Sequence, residues 1–311
     1  MATDMLYGSG IVPGTFTATF YDYINDWYDV NLDNQMARKC TVLTQVPATT
    51  EAYEANKIDF AGDDVVPKAK KTPGVEVSLG STTSNTPLWR WADSFVMNED
   101  DLAKDPMLQR RYIEGCVAKI FRGEDKVWFA GRAVNNIPGV ATCAGLNTNG
   151  KVVASGASGS DTNNIGAWLT SDTNRDIYED LRVARGKLDS KYRTNLRNLY
   201  LIGNAAAMDA LFQKDPYSDS SSLIYESVAP LFGRTKNEPM SDWAIINDSV
   251  TANYVYIVTK SREAAELVQA RGITVDDSYP RKAIKNIEVH LYQDVGMVFH
   301  DNQAFVEIAI G

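Results

Sequence analysis

The sequence predicts an α+β fold into which an α/β unit has been inserted. Three observations carry this. A long amphipathic helix pattern runs from about Asp105 to Ala130, strand and helix patterns alternate from about Asn164 to Arg271, and strand patterns return after that. The chain has 311 residues, enough for about two domains and a large core without disulfide or metal staples. It carries 31 Lys plus Arg against 40 Asp plus Glu, a formal net charge of −9. That balance excludes a protein whose whole surface binds nucleic acid, which needs a basic footprint. It leaves room for a protein that encloses nucleic acid without gripping it.

The start, Met1-Ala2-Thr3-Asp4-Met5, lacks the basic and apolar regions of an export signal. The most apolar stretch, Leu199 to Phe212, is interrupted by Asn204 and Asp209, so no membrane span is expected. Cys40, Cys116 and Cys143 are odd in number and widely spaced, with no CxxC, which argues against a disulfide framework and a zinc site. Synthesis in the cytoplasm is the simplest expectation.

Residues 1–36 read as an arm and a helix. Phe16, Phe20, Tyr23, Ile24 and Trp27 fall at three- and four-residue steps, an aromatic stripe suited to the chain's own core or to a neighbouring subunit. Residues 37–97 read as an extended excursion with flanking strands. Pro47, Pro67, Pro73, Gly62, Gly74 and Gly80 punctuate it, and Val75, Val77 and Leu79 alternate with Glu76 and Ser78. So long a stretch with little core of its own must be functional or pack on something else. Residues 98–163 hold the long helix. Asp105 is its expected cap and Pro106 its first turn, and Tyr112, Ile113, Cys116, Val117, Ile120 and Phe121 form its face. Over 26 residues it would be about 39 Å long. Gly123 is a place where it could bend.

Residues 164–271 read as the compact α/β unit. Thr173 and Asp176 suggest a capping box before a helix bearing Ile177, Leu181, Ala184 and Leu188. Leu199 to Ile202 form a buried strand, Asn204 caps a helix through Met208, Tyr254 to Val258 form a second strand, and Ser261 caps a helix through Ala265 and Val268. Residues 272–311 return as strands, Ile287 to Leu291 with Val295 to Phe299 and then Phe305 to Ile310, expected to pack on the long helix.

Catalytic motifs are sparse. There is no GxxxxGK[ST], GxSxG or HExxH, and the only imidazoles are His290 and His300, both on expected strands. Asp63-Asp64, Glu99-Asp100-Asp101 and Asp276-Asp277 could in principle serve acid–base chemistry or a hard cation, but acids in loops usually solvate turns. The Ser- and Gly-rich stretch 155–160 lacks a phosphate-loop lysine. No catalytic residue, cofactor or metal ligand is expected. The candidates for subunit contact are Phe20 and Trp27 on the arm, the basic cluster Lys68, Lys70 and Lys71 within the excursion, and Trp89-Arg90-Trp91. The lysines fit either a solvated edge or an ionic contact with another subunit. The tryptophans fit either core packing or interface anchors.

The order arm, extended loop, long helix, inserted α/β unit and returning strands resembles the tailed-phage major capsid proteins of the Hong Kong 97-like fold, with the encapsulin-like branch nearest. Leu88-Trp89-Arg90-Trp91 leading to Asn98-Glu99-Asp100-Asp101 resembles the strand entering that family's spine helix. Trp128-Phe129-Ala130-Gly131 with Ile137-Pro138-Gly139-Val140 resembles the end of the spine, and Tyr292 to Val298 resembles a late strand. The resemblance implies an N-arm, an E-loop, a P-domain with the spine helix and an inserted A-domain. It also implies a non-enzymatic shell subunit that assembles with itself as pentamers and hexamers around double-stranded DNA, in a virion made in the host cytoplasm. Any scaffold would be a separate protein, since only about 36 residues precede the excursion; portal and decoration proteins are further expected partners. Some relatives crosslink a loop lysine, a role open to Lys68, Lys70 or Lys71, with no acceptor identified. The rival readings are an encapsulin-type compartment and, from a different class, a carboxylate-dependent hydrolase.

Overall fold

The computed structural model describes residues 35–59, 80–98, 107–147, 152–153, 168, 177–214, 222–251, 253–281 and 286–310. The first element is a short helix, α1 (Met36–Cys40), followed by β1 (Val42–Gln45), β2 (Ala52–Asp59), β3 (Gly80–Pro87) and β4 (Trp89–Asn98). The long helix α2 (Leu108–Ala130) comes next, then α3 (Val140–Gly145) and β5 (Val152–Val153). The middle of the chain holds α4 (Ile177–Lys187), α5 (Ser190–Arg193), β6 (Leu199–Gly203), α6 (Ala205–Asp209), α7 (Ile224–Val228), β7 (Ala244–Ile246) and β8 (Tyr254–Thr259). Two long strands, β9 (Ala265–Arg281) and β10 (Asn286–Phe299), precede the last, β11 (Phe305–Ala309).

Two sheets organise these elements. The first has the order β1-β9-β10-β4, with β1 parallel to β9 and the other pairs antiparallel. The second has the order β5-β11-β8-β6-β7. Helix α2 joins them because its apolar face changes partner along its length. Ile113, Cys116, Val117, Ile120 and Phe121 pack with Phe95, Ile273, Val289 and Leu291 of the first sheet. Trp128 and Phe129, in its last turn, lie in the larger core of the second sheet, where Phe129 meets Tyr256 edge-on at 5.0 Å. One rod therefore seats both cores.

Helix α2 ends on a close approach of backbone to backbone. Gly131 has φ +75° and donates its N–H to Val127 O at 2.7 Å, and the chain folds back through a bridge between Arg132 and Ile137. A Cβ on Gly139 would stand 2.2 Å from Gly131 N, and one on Gly131 would stand 2.7 Å from Ile137 O. Only glycine fits either position. The helix passes Gly123 unbroken, and a Cβ there would meet the Trp91 ring at 3.6 Å, an ordinary contact. Its expected start at Asp105 and Pro106 lies outside the described residues.

Two expectations are corrected. Ser261 to Val268 does not form a helix: residues 262–264 make a turn and Ala265 begins β9. The stretch is rich in good helix formers, yet it is enclosed between β1 and β10, with Ala265, Leu267 and Val268 buried, and the ladder outweighs local propensity. The final strand does not pack beside the long helix on the first sheet. β11 instead pairs with β8 and β5 in the second sheet, with Val306, Ile308 and Ile310 fully buried. Both chain crossings between the sheets, 260–264 and 300–304, lie together, since His300 N and Asp301 N donate to Ala264 O at 2.9 and 3.4 Å.

Candidate assembly surface

Strands β2 and β3 pair with one another along eight residues, from Ala52 with Pro87 to Asp59 with Gly80, and form a two-stranded sheet of their own. Eight residues of strand make a ribbon about 27 Å long. Of its described side chains only Ala55 is buried. Ala55 packs with Val268 and Val298, flanked by Val46, Tyr53 and Leu88. This is the ribbon's root; of the remaining described side chains, Ala52, Glu54, Asn85 and Pro87 are exposed and Thr86 is half-buried. A two-stranded ribbon is marginal by itself, which makes it a candidate for contact with another surface.

At the root, β3 passes into β4 through Leu88, and Trp89-Arg90-Trp91 alternate across the strand. Trp89 and Trp91 turn inward against the larger core, and Trp91 also reaches the helix cluster. The Trp91 indole N–H donates to Val295 O at 3.3 Å. Arg90 turns outward, makes a two-pronged pair with Asp294 at 2.9 and 3.1 Å, and covers the Tyr292 ring at 4.4 Å. Arg271 approaches the same Asp294 at 3.8 Å and donates to Ala48 O and the Tyr292 hydroxyl, both at 3.3 Å. With Thr50, Glu51 and Leu88 these groups line a shallow depression beside the ribbon's root. The tryptophans therefore anchor the strand, and the arginines give its outer face a fixed charge pattern.

The N-terminal end of the described chain is held by a buried polar latch. Asp125 on α2 accepts from Met36 N at 3.2 Å and Ala37 N at 2.8 Å, so a side chain 88 residues away caps α1. Arg38 makes a two-pronged pair with Glu124 at 3.0 and 3.1 Å and donates to Gln293 Oε1, while Gln293 donates to Glu124 at 2.7 Å. Burial pushes the Asp125 carboxyl up to about 7; the Ala37 N–H opposes this, the Glu124 charge adds to it, and Met36 N–H and Arg38 oppose it. The point where residues 1–34 join the body is thus fixed on the long helix. Spacing alone could not find this latch, because its partners are some 90 and 260 residues apart.

Of the sequence candidates for subunit contact, Phe20, Trp27, Lys68, Lys70 and Lys71 lie outside the described residues; Trp89, Arg90 and Trp91 are placed as above. The histidines do not converge. His290 on β10 lies 3.5 Å from Glu288, and His300, expected on a strand, lies just beyond it and meets the buried Glu266 at 3.1 Å. Glu266 is also held by Thr44 and Arg262.

No family model and no curated relative matches the sequence. Solved structures do. A virus-like particle from Pyrococcus furiosus is similar over 94% of this chain and 99% of that one, with a TM-score of 0.62 at 13% identity. The capsid of Myoviridae phage XM1 is similar over 89% and 91%, with a TM-score of 0.62 at 13% identity. The capsid of a native GTA particle is similar over 90% of each chain, with a TM-score of 0.59 at 14% identity. The likeness spans nearly the whole length of each, and this chain has the Hong Kong 97-like capsid fold.

Proposed function

We propose that the chain is the major capsid protein of a tailed phage and assembles with copies of itself into an icosahedral shell enclosing double-stranded DNA. The observation that carries this reading is the likeness to capsid subunits over about nine-tenths of the chain. The ribbon supplies the physical mechanism, since a two-stranded sheet, marginal by itself, gains burial against a neighbour. In a shell each copy offers one surface and receives a different one, and such contacts close into rings of five and six when the rotation allows. Burial at about 25 cal/mol per Å² drives each contact, and most of that gain is offset by lost translational and side-chain freedom. Contacts that are individually weak let misplaced subunits leave while the closed shell persists.

The role is structural rather than enzymatic. The buried acids Glu124, Asp125 and Glu266 are committed to cations, backbone N–H groups or neighbouring side chains. No described helix is long and apolar enough to cross a membrane, in keeping with a subunit made in the host cytoplasm and destined for the virion. The test is light scattering on the purified chain with negative-stain microscopy of the heaviest fraction. Closed particles of uniform diameter support the reading. A species that stays monomeric or dimeric across salt and pH, also with co-expressed neighbouring structural proteins, overturns it.

The second reading, a compartment shell that encloses protein instead of a genome, is favoured by the likeness to the Pyrococcus furiosus virus-like particle. The contents of particles from the native source separate the two: nuclease-protected DNA selects the phage head, and a co-purifying enzyme selects the compartment.

A further inference from the structure

The segment from Ile177 to Asn198 carries six basic and three acidic side chains in a chain whose net charge is −9. Arg182 pairs with Glu179, Lys191 with Asp301 and Glu263, and Arg197 with Glu238, so of the segment's arginines Arg185 and Arg193 alone have no carboxylate partner among the described residues. The fold gathers part of this basic segment. Arg182, Arg185, Gly186, Arg193, Thr194 and Leu196 line one open depression between α4, α5 and the turn before β6. Two of the three guanidinium groups are held by neutral acceptors: Arg185 donates to Leu231 O at 3.2 Å and Arg193 to Gly186 O at 3.3 Å. A carbonyl fixes a guanidinium's direction without cancelling its charge. The surface at Gly186 is open, since a Cβ there would meet nothing within 4 Å.

Of the segment's own acids, one pairs with an arginine of the lining and two are engaged elsewhere. Glu179 pairs with Arg182 at 2.6 Å on the exposed side of α4. Asp180 is buried and accepts from the Trp168 indole at 2.8 Å. Asp189 accepts from Lys191 N at 3.0 Å and caps α5. Among the described residues, no carboxylate pairs with Arg185 or Arg193.

We propose that this depression is a docking site for a carboxylate-bearing surface of a second copy of the chain. The inference rests on the shell reading and gives it a specific contact. Charge decides the occupant. The rest of each copy is more negative than the −9 of the whole, so a neighbouring copy has carboxylates in excess to offer. A nucleic acid needs a broad basic track to offset its dense phosphates, and the same surplus of acids repels it. Arginine suits the task, since its planar fork matches a carboxylate with two parallel hydrogen bonds.

The test uses the full-length protein and the double reversal Arg182→Glu, Arg193→Glu. Both side chains are exposed, and circular dichroism and thermal melting verify the fold. Wild type and variant are titrated by light scattering in about 0.1 M salt and upwards. The expected result is a rise of about tenfold or more in the concentration at which the variant assembles. Wild-type assembly should also weaken as salt rises. Should the double variant not fold, Arg193→Gln, which only neutralises, gives the same reading at an expected rise of about threefold. A folded variant that assembles at the wild-type concentration with the wild-type salt response overturns the proposal. So does a variant that assembles normally but has lost affinity for a short DNA duplex, which would assign the site to nucleic acid. Wild-type protein that forms no closed particle sinks the shell reading itself; an effect confined to the variant concerns this contact alone.

Discussion

The β2–β3 ribbon and the second sheet are both hydrogen-bonded strand assemblies, but they differ in what lies beside the strands. All five residues of β6 are buried, as are five of the six in β8. The ribbon has the same backbone ladder and, among its described side chains, one buried residue. A ladder by itself contributes little net stability, because the same groups bond to water in the unfolded chain. Apolar cover makes the second sheet a core, and the ribbon's described side chains have little of it. The contrast teaches that within one chain the same ladder of hydrogen bonds can stand with or without burial beside it.

The sharpest way to break the comparison is to empty the second core. Trp243 is fully buried and stacks on Phe232 at 4.9 Å. Trp243→Ala should cost about 3–5 kcal/mol, read from urea unfolding; a loss below 1 kcal/mol would mean that this core tolerates cavities. Next is the backbone contact that ends α2. Gly139→Ala places a methyl where Gly131 N already lies, so a loss of about 1–3 kcal/mol in the same assay is expected. A variant as stable as wild type would show that the turn can shift.

The latch gives a pH-dependent prediction. The Asp125 carboxyl titrates at about 7 in the folded chain, above its ordinary value of 3.8. A group whose folded pKa is raised binds its proton more tightly when folded. Its stabilising contribution is complete below about pH 4 and is lost as the pH rises through about 7. Asp125→Asn keeps an acceptor for one N–H and removes the titration. The difference in Tm between wild type and variant should therefore change in favour of wild type as the pH falls from 8 to 5. A difference that stays constant with pH would disprove the shift. The smallest effect on folding belongs to the ribbon: Glu54→Lys, at an exposed position, should change stability by less than about 1 kcal/mol while lowering the yield of assembled particles. Equal yields would count against the ribbon as a contact surface.

How much of this was legible in the sequence depends on the range of the interactions. The faces of α2 and α4, the buried strands β6 and β8, and the Asn204 cap, which accepts from Ala207 N at 2.9 Å, are local patterns and read directly. The glycines that end α2 stand at a loop-rich stretch visible as Gly131 to Gly139. Where local propensity opposed the sheet, as at Ala264-Ala265-Glu266-Leu267, it pointed to the wrong element. The destination of β11 was not legible either, because Phe305 to Ala309 reads as a buried strand in any sheet. Of the charged groups, the Trp-Arg-Trp strand stood out in the sequence. The Asp125 latch depends on partners brought together by folding, and the arginine depression had only a faint signal in the excess of basic residues from 177 to 198.

The placement of the three cysteines has a practical consequence. All are free and buried, Cys116 against the first sheet, Cys143 in the core of the second, and Cys40 in the helix held by the latch. Burial pushes the thiols of Cys116 and Cys143 up to about 12 and that of Cys40 higher still, so none presents a thiolate to a reagent while its region stays closed. Each is a native reporter that becomes reactive only on opening. The alkylation rate of each cysteine, resolved by peptide mass, would time the loosening of the rod, the inserted sheet and the N-terminal junction separately, with no label introduced.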